Sequence, residues 1–231
     1  MRVIMDGGRS VESHRSWLDI PLEIRGRLEA VSRFIDFKRG DSVWRVGDRP
    51  QGLFIVNKGL IGLSIIGNSG KEHLLRFCRE GQFFGHRSLF ADEVYNASAV
   101  VLEPTNLRFI PRLEVLQIFD EHPMFYQSVI KVLSKELRRA EMNHVMILEH
   151  QILSRTAQAL VYLKDLHPHH RWTRQEIASF CASTTSTVIK ALAQLETMGL
   201  VSQKGREIEI LDRQALLALE GSRSPSDPVW V

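Results

Sequence analysis

Cysteine is scarce in this chain: Cys78 and Cys181 are the two present, and they stand too far apart to form a CxxC pair. That excludes a zinc site or iron–sulfur cluster held by cysteines and points to a reducing cytoplasm as the working compartment. Long hydrophobic runs are missing as well. No stretch approaches the ~20 apolar residues that span a bilayer, and the opening Met1-Arg-Val-Ile-Met-Asp-Gly-Gly8 lacks the apolar segment of a secretory signal, so no membrane partner is expected. No paired carboxylates, metal-ligand cluster, nucleophile elbow or phosphate-cradling loop stand at workable spacing, so neither an enzyme nor a metal site is expected. Charge of one sign is in small excess, 30 Lys and Arg against 27 Asp and Glu. Residues 151–220 carry eight basic against seven acidic residues, so any affinity for nucleic acid must come from clustering on one surface. What remains is ordinary globular composition, 44% hydrophobic and 25% charged, in 231 residues, enough for two modest domains.

The most pointed pattern runs from Trp172 to Arg206 and predicts a helix, a tight turn, a second helix and a short β-wing. Thr173 and Glu176 stand at capping-box spacing, where hydroxyl and carboxylate each satisfy an orphan amide at a helix start. After a turn at Ala182-Ser183, Val188, Leu192 and Leu195 fall at i, i+4 and i+7 and form one apolar stripe. Thr185, Ser186, Ile189 and Lys190 fall on another face, polar and cationic, within the first two turns, where helix-turn-helix proteins read bases. Gly199-Leu-Val201 and Lys204-Gly-Arg206 supply the wing. Thr173, Arg174, Lys204 and Arg206 are expected to anchor the nucleic-acid backbone around those readers. An ordinary helical hairpin in a core is the alternative.

Upstream, residues 1–16 read as a polar lead-in, and short helices are expected from about Trp17 to Arg33. From Phe34 to Pro111 short β-type runs are punctuated by glycines, among them Leu53-Phe-Ile-Val56, Leu60–Ile66 and His73–Phe77, with Gly67-Asn-Ser-Gly70 as a hairpin connection; a sandwich or small barrel is expected. A short helix to about His122 follows. Pro123 then opens a long helix over about 124–150. Along it Ile130, Leu133, Leu137, Ala140, His144 and Ile147 are spaced 3-4-3-4-3, an a/d seam for a parallel homodimer interrupted only by His144. Val129, Val132, Met142, Val145, Met146 and Leu148 supply further apolar surface, so that one face is expected to pack inward while the seam meets a partner. A further helix over about 152–167 leads through His167-Pro-His-His170, expected to be a solvated loop, into the helix-turn-helix. The stretch from Gly221 has linker composition.

Taken in this order, these segments resemble the Crp/Fnr transcription regulators over about Phe34 to Leu211. The barrel side rests on Phe37-x-x-Gly40-Asp41, Gly47-Asp48, Leu53-Phe-Ile-Val-x-x-Gly59, Gly81-x-x-Phe84-Gly85 and Ala97-x-Ala99. The other side rests on Thr173-Arg-Gln-Glu-Ile177, Thr187-Val188, Leu192-x-x-Leu195 and Gly199-Leu-Val201. The resemblance implies an α+β chain with three parts. An N-terminal double-stranded β-helix (jelly-roll) barrel of the cyclic-nucleotide-binding type covers 17–123, a long dimerisation helix 124–150, and a C-terminal winged helix-turn-helix 151–220. It implies a homodimeric, sequence-specific regulator on double-stranded DNA with an inverted-repeat site, with RNA polymerase as a partner. A sensor module for a small molecule, cyclic nucleotide or other anion, whose helix-turn-helix serves protein contacts is the alternative.

The effector pocket is where this chain departs from the resemblance. The pocket is expected around Gly85, His86, Arg87, Ser88, Asn96 and Ala97. Relatives that bind cyclic AMP carry an acid where this chain has His86, and an Arg-Ser phosphate clamp where it has Asn96 and Ala97. An amide and a methyl do not replace a guanidinium's charge-assisted fork. Ala140 and Glu141 stand where an adenine-contacting Thr/Ser pair is expected. Ordinary cyclic AMP binding is therefore not expected. His86 and Arg87, with His73 and Arg76 on a neighbouring strand, are candidates for lining another anion site, although alternation along Gly85–Ser88 and along the strand sends some of them outward, and solvated surface charge is the expectation for at least half. No cofactor is assigned; haem on His86 or His144 is not expected, and both cysteines read as buried small hydrophobes. Relatives that read a G·C-containing half-site use Arg, Glu and Arg where this chain has Thr185, Ser186 and Lys190, which predicts a half-site richer in A·T.

Overall fold

Alternating apolar residues set between glycine-bearing turns fold, in the computed structural model, into two antiparallel sheets. The structure describes Trp17 and residues 20–219; the lead-in over 1–16 and the tail from Gly221 lie outside the described residues. The described chain separates into two units, with the division after Arg138.

In the first unit α1 (Leu22–Ala30) leads to β1 (Arg33–Phe37), β2 (Ser42–Trp44), β3 (Gly52–Lys58), β4 (Leu60–Ile66), β5 (Glu72–Arg79) and β6 (Phe83–Phe84). Then come α2 (His86–Ala91), β7 (Ser98–Val101), β8 (Thr105–Pro111), α3 (Arg112–Glu121) and the long α4 (Met124–Glu149), whose residues from Arg139 on belong to the second unit. One sheet has the order β1-β8-β3-β6 and the other β2-β7-β4-β5, every pairing antiparallel. This is the expected jelly-roll barrel.

Strand β3 shows why the unit has two cores. Successive side chains point to opposite faces, and the first five residues of β3 are all buried. Leu53 and Ile55 pack with Leu28, Phe119, Phe125 and Val129 beneath the helices. Phe54 and Val56 point the other way, to Trp44, Phe84, Leu107 and Phe109 inside the barrel. The turn into β4 depends on Gly59 at φ +105°, where a Cβ would lie 2.3 Å from the Thr105 hydroxyl, so any other residue there is strained and clashing.

One local reading is corrected. Extended alternation was expected over Gly85–Ser88, but α2 begins at His86. Gly85, at φ +88°, turns the chain out of β6 and straight into a helical turn, a change of direction that period-2 counting does not detect.

On α4, Phe125, Val129 and Val132 fall at i, i+4 and i+7 and are buried, which fixes the inward face of the helix. Ile130 and Leu137, in the proposed seam, are each 60% exposed.

The second unit continues with α5 (Ile152–Leu166), α6 (Arg174–Phe180), α7 (Thr185–Thr197), β9 (Val201–Lys204), β10 (Glu207–Ile210) and α8 (Arg213–Leu217). Leu160, Leu163, Ile177, Val188, Leu192, Leu195 and Leu216 are each fully buried and form its centre. Asp165 on α5 takes both Arg213 nitrogens of α8, at 2.5 and 2.7 Å.

Candidate nucleic-acid interface and barrel pocket

The start of α6 is held by the expected capping box. Thr173 Oγ1 accepts from the Glu176 amide at 3.1 Å, and Glu176 Oε2 accepts from the Thr173 amide at 2.8 Å. Burial would raise the Glu176 carboxyl, but bonds from His170 and the Thr173 amide outweigh it and hold it below the usual carboxylate range. His170 therefore departs from the solvated loop expected of it. It is buried, its ring meets Trp172 edge-on at 4.5 Å, and Nε2 lies 3.4 Å from Glu176 Oε2. His169 in the same run remains exposed.

Ala182, at φ +51°, makes the turn between the two helices. Thr184 caps α7 by accepting from the Thr187 amide at 3.2 Å. On α7 itself Val188, Leu192 and Leu195 are buried, whereas Thr185, Ser186, Ile189 and Lys190 are exposed. Ile189 leaves half of its surface open, an arrangement that gains nothing for the fold. The Ser186 hydroxyl lies 3.0 Å from Thr184 Oγ1; a hydroxyl that shares one bond this way still has another to offer a base edge.

The cationic residues frame this face. Arg174 opens α6 and is half-buried, donating to Gln203 Oε1 at 2.9 Å. Gln203 on β9 is itself gripped by Glu196 of α7, through its backbone amide at 2.6 Å and its side-chain amide at 3.1 Å. Lys204 pairs loosely with Glu209 at 3.6 Å, Gly205 turns the wing at φ +61°, and Arg206 is exposed at its tip. Sequence reasoning missed Gln203 and Glu196: neither belongs to a motif, and only the packing of wing against α7 brings them together.

In the barrel, Gly85, Arg87, Ser88, Asn96 and Ala97 line a cavity of about 70 Å³ together with Trp44, Leu63, Leu75, Arg76 and Tyr95. Trp44 and Tyr95 stack with ring centroids 4.0 Å apart. Trp44 also touches Phe54 and Phe84 at 5.3 and 5.2 Å and donates from Nε1 to the Ala97 carbonyl at 2.9 Å. Aromatic rings thus fill much of the barrel interior. The Tyr95 hydroxyl is buried without a hydrogen-bond partner among the described residues, and burial raises its pKa.

His86 does not line this cavity. It is fully buried, edge-on to Phe83 at 4.9 Å, and its pKa is well below the ordinary value because of burial first and then Arg76 and Arg87. Of the four basic residues, Arg87 is exposed, His73 and Arg76 are half-buried and His86 is buried; Arg76, His86 and Arg87 converge on Glu136 of α4. Arg76 contacts Oε1, Arg87 donates to Oε2 at 2.9 Å, and His86 Nε2 lies 3.3 Å from Oε2. Burial, with Arg76 nearby, lowers the Arg87 guanidinium to about 10. His73 is apart from this group, opposite Ile65 near the β4–β5 hairpin.

Cys181 is fully buried, donates to the Arg155 carbonyl at 3.7 Å, and burial raises its thiol to about 12, which removes thiolate reactivity at neutral pH. Cys78 is also buried. Among the described residues no His, Cys, Asp and Glu side chains gather in a group able to hold a metal, and no helix is long and apolar enough to cross a membrane.

Comparison with known proteins places both units. The profile of the cyclic nucleotide-binding domain matches residues 34–122, and that of the Crp-like helix-turn-helix domain matches 154–219. A CRP-like cAMP-activated global transcriptional regulator of Mycobacterium tuberculosis is 25% identical over 191 residues, covering 79% of this chain and 85% of that protein. Transcriptional regulator SdrP of Thermus thermophilus is 28% identical over 210 residues, covering 85% and 98%. Among solved structures, FixK2 of Bradyrhizobium japonicum superposes with a TM-score of 0.74 at 20% identity, over 84% of this chain and all of that one.

Proposed function

This chain belongs to the Crp/Fnr family of DNA-binding transcription regulators, a family of regulators rather than enzymes, and on that premise we propose that it acts as a homodimer on an inverted repeat without answering to cyclic AMP. The observation that carries this reading is the exposed face of α7. Thr185, Ser186, Ile189 and Lys190 stand clear of a helix whose other side is fully buried. A dimer would set two such faces ~34 Å apart on successive major grooves. Thr and Ile methyl groups suit thymine, Ser pairs with either strand, and Lys190 reaches one guanine or a phosphate. Thr173, Arg174, Lys204 and Arg206 hold the backbone.

The seam on α4 supports the dimer. Ile130, Leu137, Ala140 and His144 are exposed and Leu133 and Ile147 half-buried, an apolar stripe that a second copy would cover. Against cyclic AMP stand the space and the chemistry. Ligand pockets run to about 300–1,000 Å³, whereas the barrel leaves about 70 Å³. Asn96 and Ala97 occupy the places of the phosphate clamp. The M. tuberculosis relative is described as cAMP-activated; this chain would be regulated differently. RNA polymerase is its proposed partner and the cytoplasm its compartment, where two reduced cysteines are at home.

A gel-shift of the purified protein on genomic fragments, with salt titration, tests this reading. Retardation that falls steeply with salt is expected. A protein that leaves all DNA unretarded would instead be a sensor whose helix-turn-helix serves protein contacts.

A further inference from the structure

Three basic side chains from two elements meet one carboxylate from a third. Glu136 reaches from α4 toward Arg76 of β5 and His86 and Arg87 of α2, and its side chain is 13% exposed. Both of its oxygens are engaged. Oε1 meets Arg76, and Oε2 accepts from Arg87 Nε at 2.9 Å and lies 2.9 Å from its Nη2. With His86 neutral, two guanidiniums face one carboxylate, the arrangement in which a bound oxyanion is held by charge-assisted bonds. The residual cavity shares Arg76 and Arg87 as walls. A lining of this kind is what an anionic ligand would need, and here a side chain already supplies the anion.

The position of Glu136 along α4 adds a consequence. Leu137, the next residue, points outward and is 60% exposed, in the stripe proposed for dimer contact. One turn of helix therefore binds the barrel wall through its carboxylate and offers the seam through its leucine. Glu136 and Leu137 thus tie the basic cluster and the exposed stripe to the same turn of helix.

We propose that Arg76 and Arg87, with His86 packed beside them, form a carboxylate-binding site whose resident ligand is Glu136 of the same chain, so that this basic cluster is occupied without a diffusible effector. The consequence that DNA binding needs no added small molecule rests on the function proposed above; the occupancy of the site does not.

The experiment replaces the internal carboxylate by an external one. Full-length wild type and Glu136→Ala are melted in about 50 mM sodium acetate and in sodium chloride at matched ionic strength. Wild type melts alike in both. Glu136→Ala melts lower in chloride and recovers saturably in acetate, and adding Arg76→Met abolishes the recovery. On the best duplex for wild type, binding proceeds with no small molecule added; Glu136→Ala binds about tenfold more weakly and acetate restores it. Glu136→Ala and Glu136→Gln that melt with wild type and ignore acetate would overturn the proposal. Should the alanine variant not fold, Glu136→Gln decides, because it keeps the shape and loses the charge; melting equal to wild type overturns the site. Failure of wild type to bind any DNA would sink the proposed function, while the melting comparison still decides the occupancy.

Discussion

Gln203 accepts a hydrogen bond from the Arg174 guanidinium at 2.9 Å, across 29 positions of sequence. Because Glu196 takes both amides of Gln203, the wing, α7 and the first residue of α6 form one polar chain. Arg174 has five donors and spends one here, which leaves the guanidinium aimed and still able to take a phosphate.

Removing that aim should weaken DNA binding without changing its sequence preference. Gln203→Leu is expected to lower affinity about fivefold, or ~1 kcal/mol, on specific and non-specific duplexes alike. Arg174→Ala should do the same and also flatten the dependence on salt, because a phosphate contact is lost. Fluorescence anisotropy on the two duplexes measures both. Unchanged affinity of Gln203→Leu would show that the bond positions nothing.

The seam on α4 predicts a second outcome. Leu137→Asp would place a carboxylate against a partner's apolar stripe and should split the dimer, at a cost of several kcal/mol. Light scattering at low micromolar concentration reads the mass directly. A fully dimeric variant would remove the seam as the interface.

How much of this was legible in the sequence depended on distance along the chain. The capping box at Thr173 and Glu176, the strand Leu60–Ile66 and the stripe Val188-Leu192-Leu195 are local patterns, and each stands in the structure as read. The α2 turn was not legible, because Gly85 redirects the chain within one residue. Glu136 was not legible either. Its partner Arg87 is 49 residues away, and nothing in a heptad count distinguishes a carboxylate facing a barrel from one facing water. His170 read as loop because its burial is set by Trp172 and Glu176 together.

Burial of His86 makes a pH prediction. Its folded pKa is depressed by burial and then by Arg76 and Arg87, so the unfolded chain takes up the proton first. The stability tied to this group is present above the unfolded value, about 6.5, and falls as pH drops below it, by up to about 1.4 kcal/mol per unit. Urea midpoints between about pH 7.5 and 5 should fall more steeply for wild type than for His86→Gln. Parallel slopes would show that the ring is not the group responsible.

On the proposed reading, in which His86, Asn96 and Ala97 stand at the ribose and phosphate positions and the cavity is about 70 Å³, cyclic AMP at ~1 mM should neither raise the melting temperature nor tighten DNA binding. Calorimetry tests this directly. A saturable signal of micromolar affinity would mean that Arg76 or Arg87 releases Glu136 to take the phosphate.

The central claim is that the exposed face of α7 reads bases, and selection from randomised duplexes tests it most directly. Two-fold symmetric sites with A·T-rich half-sites are expected from wild type. Lys190→Ala or Ser186→Ala should each shift preference at single positions by ~1–3 kcal/mol. Recovery of a G·C-containing half-site that Ser186→Ala leaves unchanged, or no enrichment at all, would contradict it.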